Sequence, residues 1–368
     1  MNIEKLVKKY VEIVESDAFV RYEKDFANKI ISELSVCYER RLGEPDMVKI
    51  VESVINGCKN LTSKNNQPYF EVSTNAIFIH GNHKSGVKFY YYGKQLSVEL
   101  GDIIFIASII YNGRIYVEKF TISQFKKDTK STRSISWDIG NRKQLYLLSR
   151  FPKFSGVKSS IVPKEKDFSL PNYSGCLGSY CLLYAPGDFA FVSGTRLDSY
   201  LSNRRKISGD DLFSIGESRD VININKWYPR WHKWVDMIDV CKYFCGPYCN
   251  VCFLSFPFSL FLGNCHFSMN VYDFVSKYLR LCIGEPTVAE IGKRNLQARN
   301  FLIELMSMLR AKAIKENLTD LRNFTEGFFK YHNDTNEEIN THRESIEFEA
   351  RGGGIGIIYT TINLGEGE

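Results

Sequence analysis

The sequence predicts an α/β protein in which helices flank a mixed central sheet, continued by a C-terminal region of mixed α+β character. Three observations predict it. Residues 103–111 and 115–125 are runs rich in Ile, Val, Phe and Tyr. They flank Asn112-Gly113, a dipeptide suited to positive φ, and read as the strands of a hairpin. Upstream, Phe26, Ala27, Ile30, Ile31, Leu34, Cys37 and Tyr38 form one apolar stripe at helical spacing. Downstream, residues 141–150 read as a helix that ends before Phe151-Pro152. Helices on both sides of a set of strands build layers around one sheet.

In chain order, residues 3–15 and 20–42 read as helices, and Pro45 opens a third at 46–59. Residues 62–68 are a polar loop. Residues 69–80 and 86–92 read as strands around His80-Gly-Asn-His-Lys-Ser-Gly86, whose His80 and His83 are weighed as phosphate contacts against solvated loop histidines. The hairpin is followed by the basic loop Lys126-Lys-Asp-Thr-Lys-Ser-Thr-Arg133 and then by helix 141–150. Gly156, Pro163, Pro171 and Gly175 mark residues 155–175 as a linker or surface excursion. The chain is thereby divided into a core over 1–155 and an accessory region over 156–368. In the second part, 178–184 and 188–193 read as a strand pair. Residues 270–282 and 286–313 read as helices, the longer one a candidate element for a homo-oligomer. The tail over 351–362 is a glycine turn and a strand added to a sheet; without a following Gly-Lys-Ser/Thr it is no phosphate-binding loop.

Composition bounds the function. Hydrophobic residues at 44% and charged residues at 24% are those of a globular chain with ample core. A net charge of +6 is compatible with a nucleic-acid partner without requiring one. The first residues lack the apolar stretch of a signal peptide, and no run of about 18 apolar residues suggests a membrane span. Ten cysteines without a secretion signal suggest reduced thiols. The expectation is a cytoplasmic protein with no membrane segment.

The chemistry concentrates at the hairpin. Asp102 stands where the first strand begins, and Gln124 and Lys126 stand where the second ends. A hairpin brings these ends together. Side chains alternate along a strand, so Gln124 and Lys126 share a face. A strict two-residue turn sets Asp102 opposite Ser123, on the wrong face. One bulge, or a three-residue loop, sets it opposite Gln124. A joint site therefore requires an odd register. The alternative is an ordinary hairpin with a solvated Gln and Lys at its end.

Asp102 followed by Ser123-Gln-Phe-Lys-Lys127 resembles the bipartite motif of the PD-(D/E)xK nuclease superfamily, in the Gln-x-Lys variant of some Mrr-like restriction enzymes. The resemblance covers residues 20–155 and implies a restriction-endonuclease-like core that cleaves DNA with Mg²⁺ or Mn²⁺, in restriction or phage defence. It implies that Asp102 and Gln124 bind the metal and that Lys126 supports the attacking water. A first-helix glutamate often joins such a site. Glu23 is the candidate and Glu33 the runner-up, against the reading that Glu23 lies in a first turn where acids favour the helix dipole. Lys127, Lys130, Arg133 and Gln144 are the candidates for contact with DNA. Tyr146 lies two residues after Gln144, so the Gln-x-x-x-Tyr pattern of RecB-like nucleases is not met. Gln124 in place of a second acid removes a metal-binding charge. The competing reading is a nucleic-acid- or protein-binding module without turnover.

Two further clusters stand outside the motif. Asn225-Lys-Trp-Tyr-Pro-Arg-Trp-His-Lys-Trp234 interleaves aromatic and basic residues, as a base-stacking surface or as a domain junction. Cys241, Cys245, Cys249 and Cys252 are spaced C-x3-C-x3-C-x2-C, with His232, Cys265 and His266 nearby. Apolar neighbours favour packing of these thiols in a core over structural Zn²⁺, and Zn²⁺ over an iron–sulfur cluster.

Overall fold

The structure, a computed structural model, describes residues 3–58, 60–63, 69–81, 85–130, 135–158, 160–201, 204–217, 265–289, 295–332 and 354–365. His83, Arg133, the 225–234 run and the four cysteines 241–252 lie outside them. The predicted class holds: helices flank a large sheet with parallel and antiparallel pairing.

The chain opens with α1 (Ile3–Val14), α2 (Asp17–Glu39) and α3 (Glu44–Asn56). The Ser16 side chain caps α2 by accepting the Phe19 N–H, and Pro45 sits in the first turn of α3, where a missing N–H costs nothing. The stripe of Phe26, Ala27, Ile30 and Leu34 is buried against the sheet. Strands β1 (Leu61–Ser63), β2 (Phe70–His80), β3 (Gly86–Tyr91) and β4 (Lys94–Glu99) follow; β1, which enters the expected loop, and β4 are not among the expected strands.

The central hairpin is β5 (Ile103–Tyr111) and β6 (Arg114–Lys127). Asn112 and Gly113 both adopt positive φ, at 49° and 70°, as a two-residue turn of right-handed twist demands. Beyond the turn, Ile110 pairs with Ile115 but Ile109 pairs with Val117, so Tyr116 is an extra residue. This bulge produces the odd register. Ile103 pairs with Ser123, and one step further on Asp102 faces Gln124.

After β7 (Thr129–Lys130), β8 (Ile135–Asp138), α4 (Arg142–Arg150) and β9 (Phe154–Gly156), the chain returns to the main sheet as β10 (Gly178–Tyr184), parallel to the C-terminal half of β6. Then come β11 (Asp188–Ser193), α5 (Gly194–Leu201), β12 (Lys206–Ser208), α6 (Gly209–Glu217), β13 (Phe267–Ser268), α7 (Val271–Leu279) and β14 (Glu285–Ala289). The last described elements are α8 (Leu296–Lys315), α9 (Thr319–Phe329) and β15 (Gly354–Asn363). The order across the sheet is β1-β2-β15-β5-β6-β10-β11-β13, with β14 beside the first half of β6.

Two expectations are corrected. The sheet does not divide at residue 155, because β10, β11, β13, β14 and β15 all belong to it. The glycines of the expected linker serve close packing: a Cβ on Gly156 would meet the Val162 carbonyl oxygen at 1.8 Å, and one on Gly175 the His266 ring at 2.8 Å. Residues 286–289 extend β14 rather than opening a helix, and α8 starts only after Asn295, whose side chain accepts the Ala298 N–H. The final strand joins the sheet as the sequence predicts, and it does so near the centre. β15 lies between β2 and β5, antiparallel to one and parallel to the other, and its Ile-rich run is buried on both faces, as a central strand requires.

The core is two apolar layers, one under α1–α3 and α7, the other under α4, α5, α8 and α9. Between them the sheet carries a buried ion pair. Glu118 Oε2 accepts from His332 Nε2 at 2.9 Å and from Ser108 Oγ at 3.0 Å, and Oε1 accepts from Thr287 Oγ1 at 2.7 Å. His332 Nδ1 lies 2.7 Å from the Phe328 carbonyl oxygen, so both ring nitrogens face acceptors. This clamp ties the end of α9 to the middle of the hairpin.

Candidate active site

The register fixes where the site forms. The start of β5, the end of β6, the start of β15 and the end of β2 share one end of the sheet. Helix α3 crosses that end from β6 towards β2. Its first turn stands over β6, Glu52 packs against Gly356 of β15, and Asn56 Oδ1 accepts the Ala76 N–H of β2.

Asp102 is half-buried there. Its backbone N–H donates to the Ser123 carbonyl at 2.9 Å, and its carbonyl accepts the Gly356 N–H at 2.8 Å. Its Oδ2 accepts the Phe125 N–H at 2.7 Å and the Gln124 side-chain amide N–H. Among the described residues Oδ1 accepts no hydrogen bond. Burial pushes the Asp102 carboxyl up to about 7, against the opposing pull of the Phe125 N–H and the Lys126 ammonium; Glu44 and Glu99 add to the rise.

Lys126 Nζ donates to Glu44 Oε1 at 2.8 Å, and Glu44 Oε2 accepts the Lys127 N–H at 2.8 Å. Glu44 was not foreseen. It lies in the first turn of α3, where an acid suits the helix dipole, and the signal was present in Glu44-Pro45-Asp46. The apolar stripe of α2 points to Glu23 instead.

The structure corrects the expectation for Glu23 and Glu33. Glu23 is buried, but it faces α7: its carboxylate takes a two-pronged pair from Arg280, Nε to Oε1 at 2.8 Å and Nη2 to Oε2 at 3.0 Å. The Arg280 guanidinium supplies the charge that makes this burial tolerable. Glu33 is exposed on α2. Neither reaches Asp102.

The amides form a directed chain. Gln144, in the first turn of α4, donates from Nε2 to the Glu99 carbonyl at 3.3 Å and to Gln124 Oε1. With that oxygen occupied, Gln124 turns its N–H toward Asp102. Gln124 therefore joins the site as a donor that orients Asp102, where the motif implied a metal-binding oxygen. Gln144 is buried and turned inward, not outward toward DNA. Lys127 is also drawn away from phosphate: its ammonium donates to the Leu42 carbonyl and lies 5.2 Å from the Tyr38 ring centre. Lys130 lies on the two-residue strand β7. His80 ends β2 at the same end of the sheet, two strands from Asp102.

Among the described residues, no three His, Cys, Asp or Glu side chains gather as a metal-binding group. Mg²⁺ needs only one or two carboxylates, since it keeps several waters. Asp102 Oδ1 is open among the described residues, whereas both Glu44 oxygens are engaged, by the Lys126 ammonium and the Lys127 N–H, so Glu44 reaches a metal only once the Lys126 pair opens. Cys265 and His266, weighed as zinc ligands, are otherwise engaged. The Cys265 thiol bonds the Phe267 carbonyl and is pushed up to about 11 by burial; His266 Nδ1 lies 2.9 Å from Ser193 Oγ.

The raised Asp102 carboxyl has a consequence for stability. Its folded value lies above the ordinary one of 3.8, so the folded state holds the extra proton between about pH 4 and 7. Stability from this group falls as pH rises through that window. Asp102→Asn removes the effect. The variant's melting temperature is expected to gain on the wild type as pH is raised through the window and to hold a constant advantage above it. A difference independent of pH contradicts this.

No family model, no curated protein and no solved structure matches this chain. No helix among the described residues is long and apolar enough to cross a membrane.

Proposed function

We propose that the protein is a metal-dependent nuclease that hydrolyses phosphodiester bonds in DNA, with its active site at the joined ends of β5 and β6. The observation that carries this reading is the meeting of Asp102, Gln124, Lys126 and Glu44 at one sheet end, produced by the Tyr116 bulge. The resemblance to PD-(D/E)xK nucleases supports it through the same motif residues, and a role in restriction or phage defence rests on that resemblance alone.

Asp102 and Glu44 would hold Mg²⁺ or Mn²⁺. The chemistry such a bound ion supplies is neutralisation of charge on the phosphate oxygens and a more acidic water. Gln124, held by Gln144, keeps the Asp102 carboxylate oriented. Lys126 is half-buried and paired to Glu44; released from that pair, its ammonium donates to the phosphate oxygens or to the attacking water.

A second reading, a binding module without turnover, is favoured by one observation: Gln124 presents an N–H, not an oxygen, to Asp102. Thermal melting with Mn²⁺ separates the two. A ligand at about a hundred times its Kd stabilises by about 2.7 kcal/mol. The nuclease reading expects a rise in Tm with Mn²⁺ that is absent in Asp102→Asn and reduced in Glu44→Gln. An equal rise, or none, in all three proteins favours the binding module.

A further inference from the structure

The hairpin of β3 and β4 turns through Tyr92-Gly93, with φ of 46° and 78°, the same two positive angles as Asn112-Gly113. Asn suits the first position; a bulky side chain there is a backbone outlier. Tyr92 is nevertheless 85% exposed. Its ring lies edge-on to Tyr91, with centroids 4.6 Å apart, and 6.4 Å from Tyr146 of α4. Tyr91 and Tyr146 meet at 5.0 Å, and buried Phe89 stacks beneath Tyr146 at 6.3 Å. The strained turn thus extends a supported aromatic surface into solvent.

Two lysines flank it. Lys94 is exposed and pairs across the ladder with Tyr91. Lys143 is exposed one turn before Tyr146 on α4, where residues three apart are neighbours. The surface also adjoins the candidate site. Gln144 of α4 bonds the Glu99 carbonyl of β4, and β4 runs on through Leu100-Gly101 to Asp102. Phe89 pairs with Leu96, so Glu99 lies about 10 Å further along β4 at the usual strand rise.

We propose that Tyr91, Tyr92 and Tyr146, flanked by Lys94 and Lys143, are a stacking platform for the bases of single-stranded nucleic acid, which leads its backbone to the Asp102 site. This names the substrate class of the site proposed above and rests on that reading. Rings present a face to any unpaired base, and ammonium groups meet the phosphates between bases. Bases stacked inside a duplex offer no such face. A protein partner is less favoured, since cations flank the rings and the surface runs into a phosphodiesterase-type site.

The test is fluorescence anisotropy with labelled oligo(dT), labelled oligo(rU) and a DNA duplex, without metal so that nothing is cut. Tyr92→Asn removes the ring while supplying the residue the turn prefers. Binding of a single strand is expected to weaken roughly 5- to 150-fold, the range for one lost base stack. Tyr92→Phe is expected to bind as the wild type does, and Tyr146→Ala to weaken binding as Tyr92→Asn does. The preferred oligonucleotide distinguishes DNA from RNA. Unchanged binding in Tyr92→Asn, tighter binding of the duplex, or no binding of either single strand overturns the proposal, the last in favour of a protein partner. The two readings fail separately: tyrosine-dependent binding without cleavage under any metal sinks the nuclease and keeps the platform, and cleavage with tyrosine-independent binding does the reverse.

Discussion

Lys126→Met is expected to lower metal-dependent cleavage by at least about 10²-fold, the scale of removing one positioned proton donor or one charge contact in a transition state. Lys126 Nζ is held 2.8 Å from Glu44, which shares the sheet end with Asp102. Its side chain keeps 22% exposure and that of Glu44 keeps 28%, so both rehydrate when the pair is broken. The stability change should then stay within about 1 kcal/mol, as for pairs that water still reaches. Metal binding should survive, because the substitution removes a competing cation and leaves both carboxylates. Lys126→Arg is not expected to rescue fully, since a planar guanidinium replaces a compact ammonium. Single-turnover cleavage alongside a Mn²⁺ melt measures both quantities. Loss of rate together with loss of the melt shift would make Lys126 a structural residue, and an unchanged rate would remove it from the site.

His332→Ala is expected to destabilise the fold by about 3–5 kcal/mol, the usual cost of stripping one partner from a buried ion pair. Both side chains are fully buried, and Glu118 would be left in the sheet with only the Ser108 and Thr287 hydroxyls. The His332 ring also stacks on Phe328 at 3.9 Å, and that contact is lost too. Burial by itself raises the Glu118 carboxyl, but attraction and hydrogen bonding from His332, with the Thr287 and Ser108 bonds, outweigh it and hold the group below the usual carboxylate range. A lowered acid contributes stability that is present above its unfolded value, about pH 4.5, and is lost as pH falls through the folded value. Wild-type stability should therefore drop in acid more steeply than that of Glu118→Gln. Urea unfolding at neutral and acid pH reads both effects. A loss under 1 kcal/mol in His332→Ala would show that the pair does not clamp α9 to the hairpin.

What the sequence disclosed follows the range of the interactions. The hairpin was legible because Asn112-Gly113 and its flanking Ile and Val runs are local signals. The need for a bulge followed from counting residues between Asp102 and Gln124, and the structure supplies it at Tyr116. Glu44 was not legible as a partner of Lys126, since 82 residues separate them and only the path of α3 brings them together. Glu23 misled for a related reason. An acid on an apolar stripe signals a buried partner, but the stripe does not name it, and here it is Arg280. The place of β15 depends on which gap in the sheet stays open after the other strands pair, which no local pattern records. The packing of 155–175 is not legible because glycine serves both mobility and close packing, and Gly156 and Gly175 serve the second.

The central claim is that Asp102 and its neighbours hydrolyse phosphodiesters. The measurement that meets it most directly is cleavage of supercoiled, linear and single-stranded DNA with Mg²⁺ or Mn²⁺ by the wild type, Asp102→Ala and Glu23→Gln. The account predicts metal-dependent cutting that Asp102→Ala abolishes and Glu23→Gln keeps, because Glu23 pairs with Arg280 and not with the site. Cutting that survives Asp102→Ala, or a wild type that cuts no DNA with either metal, would contradict it.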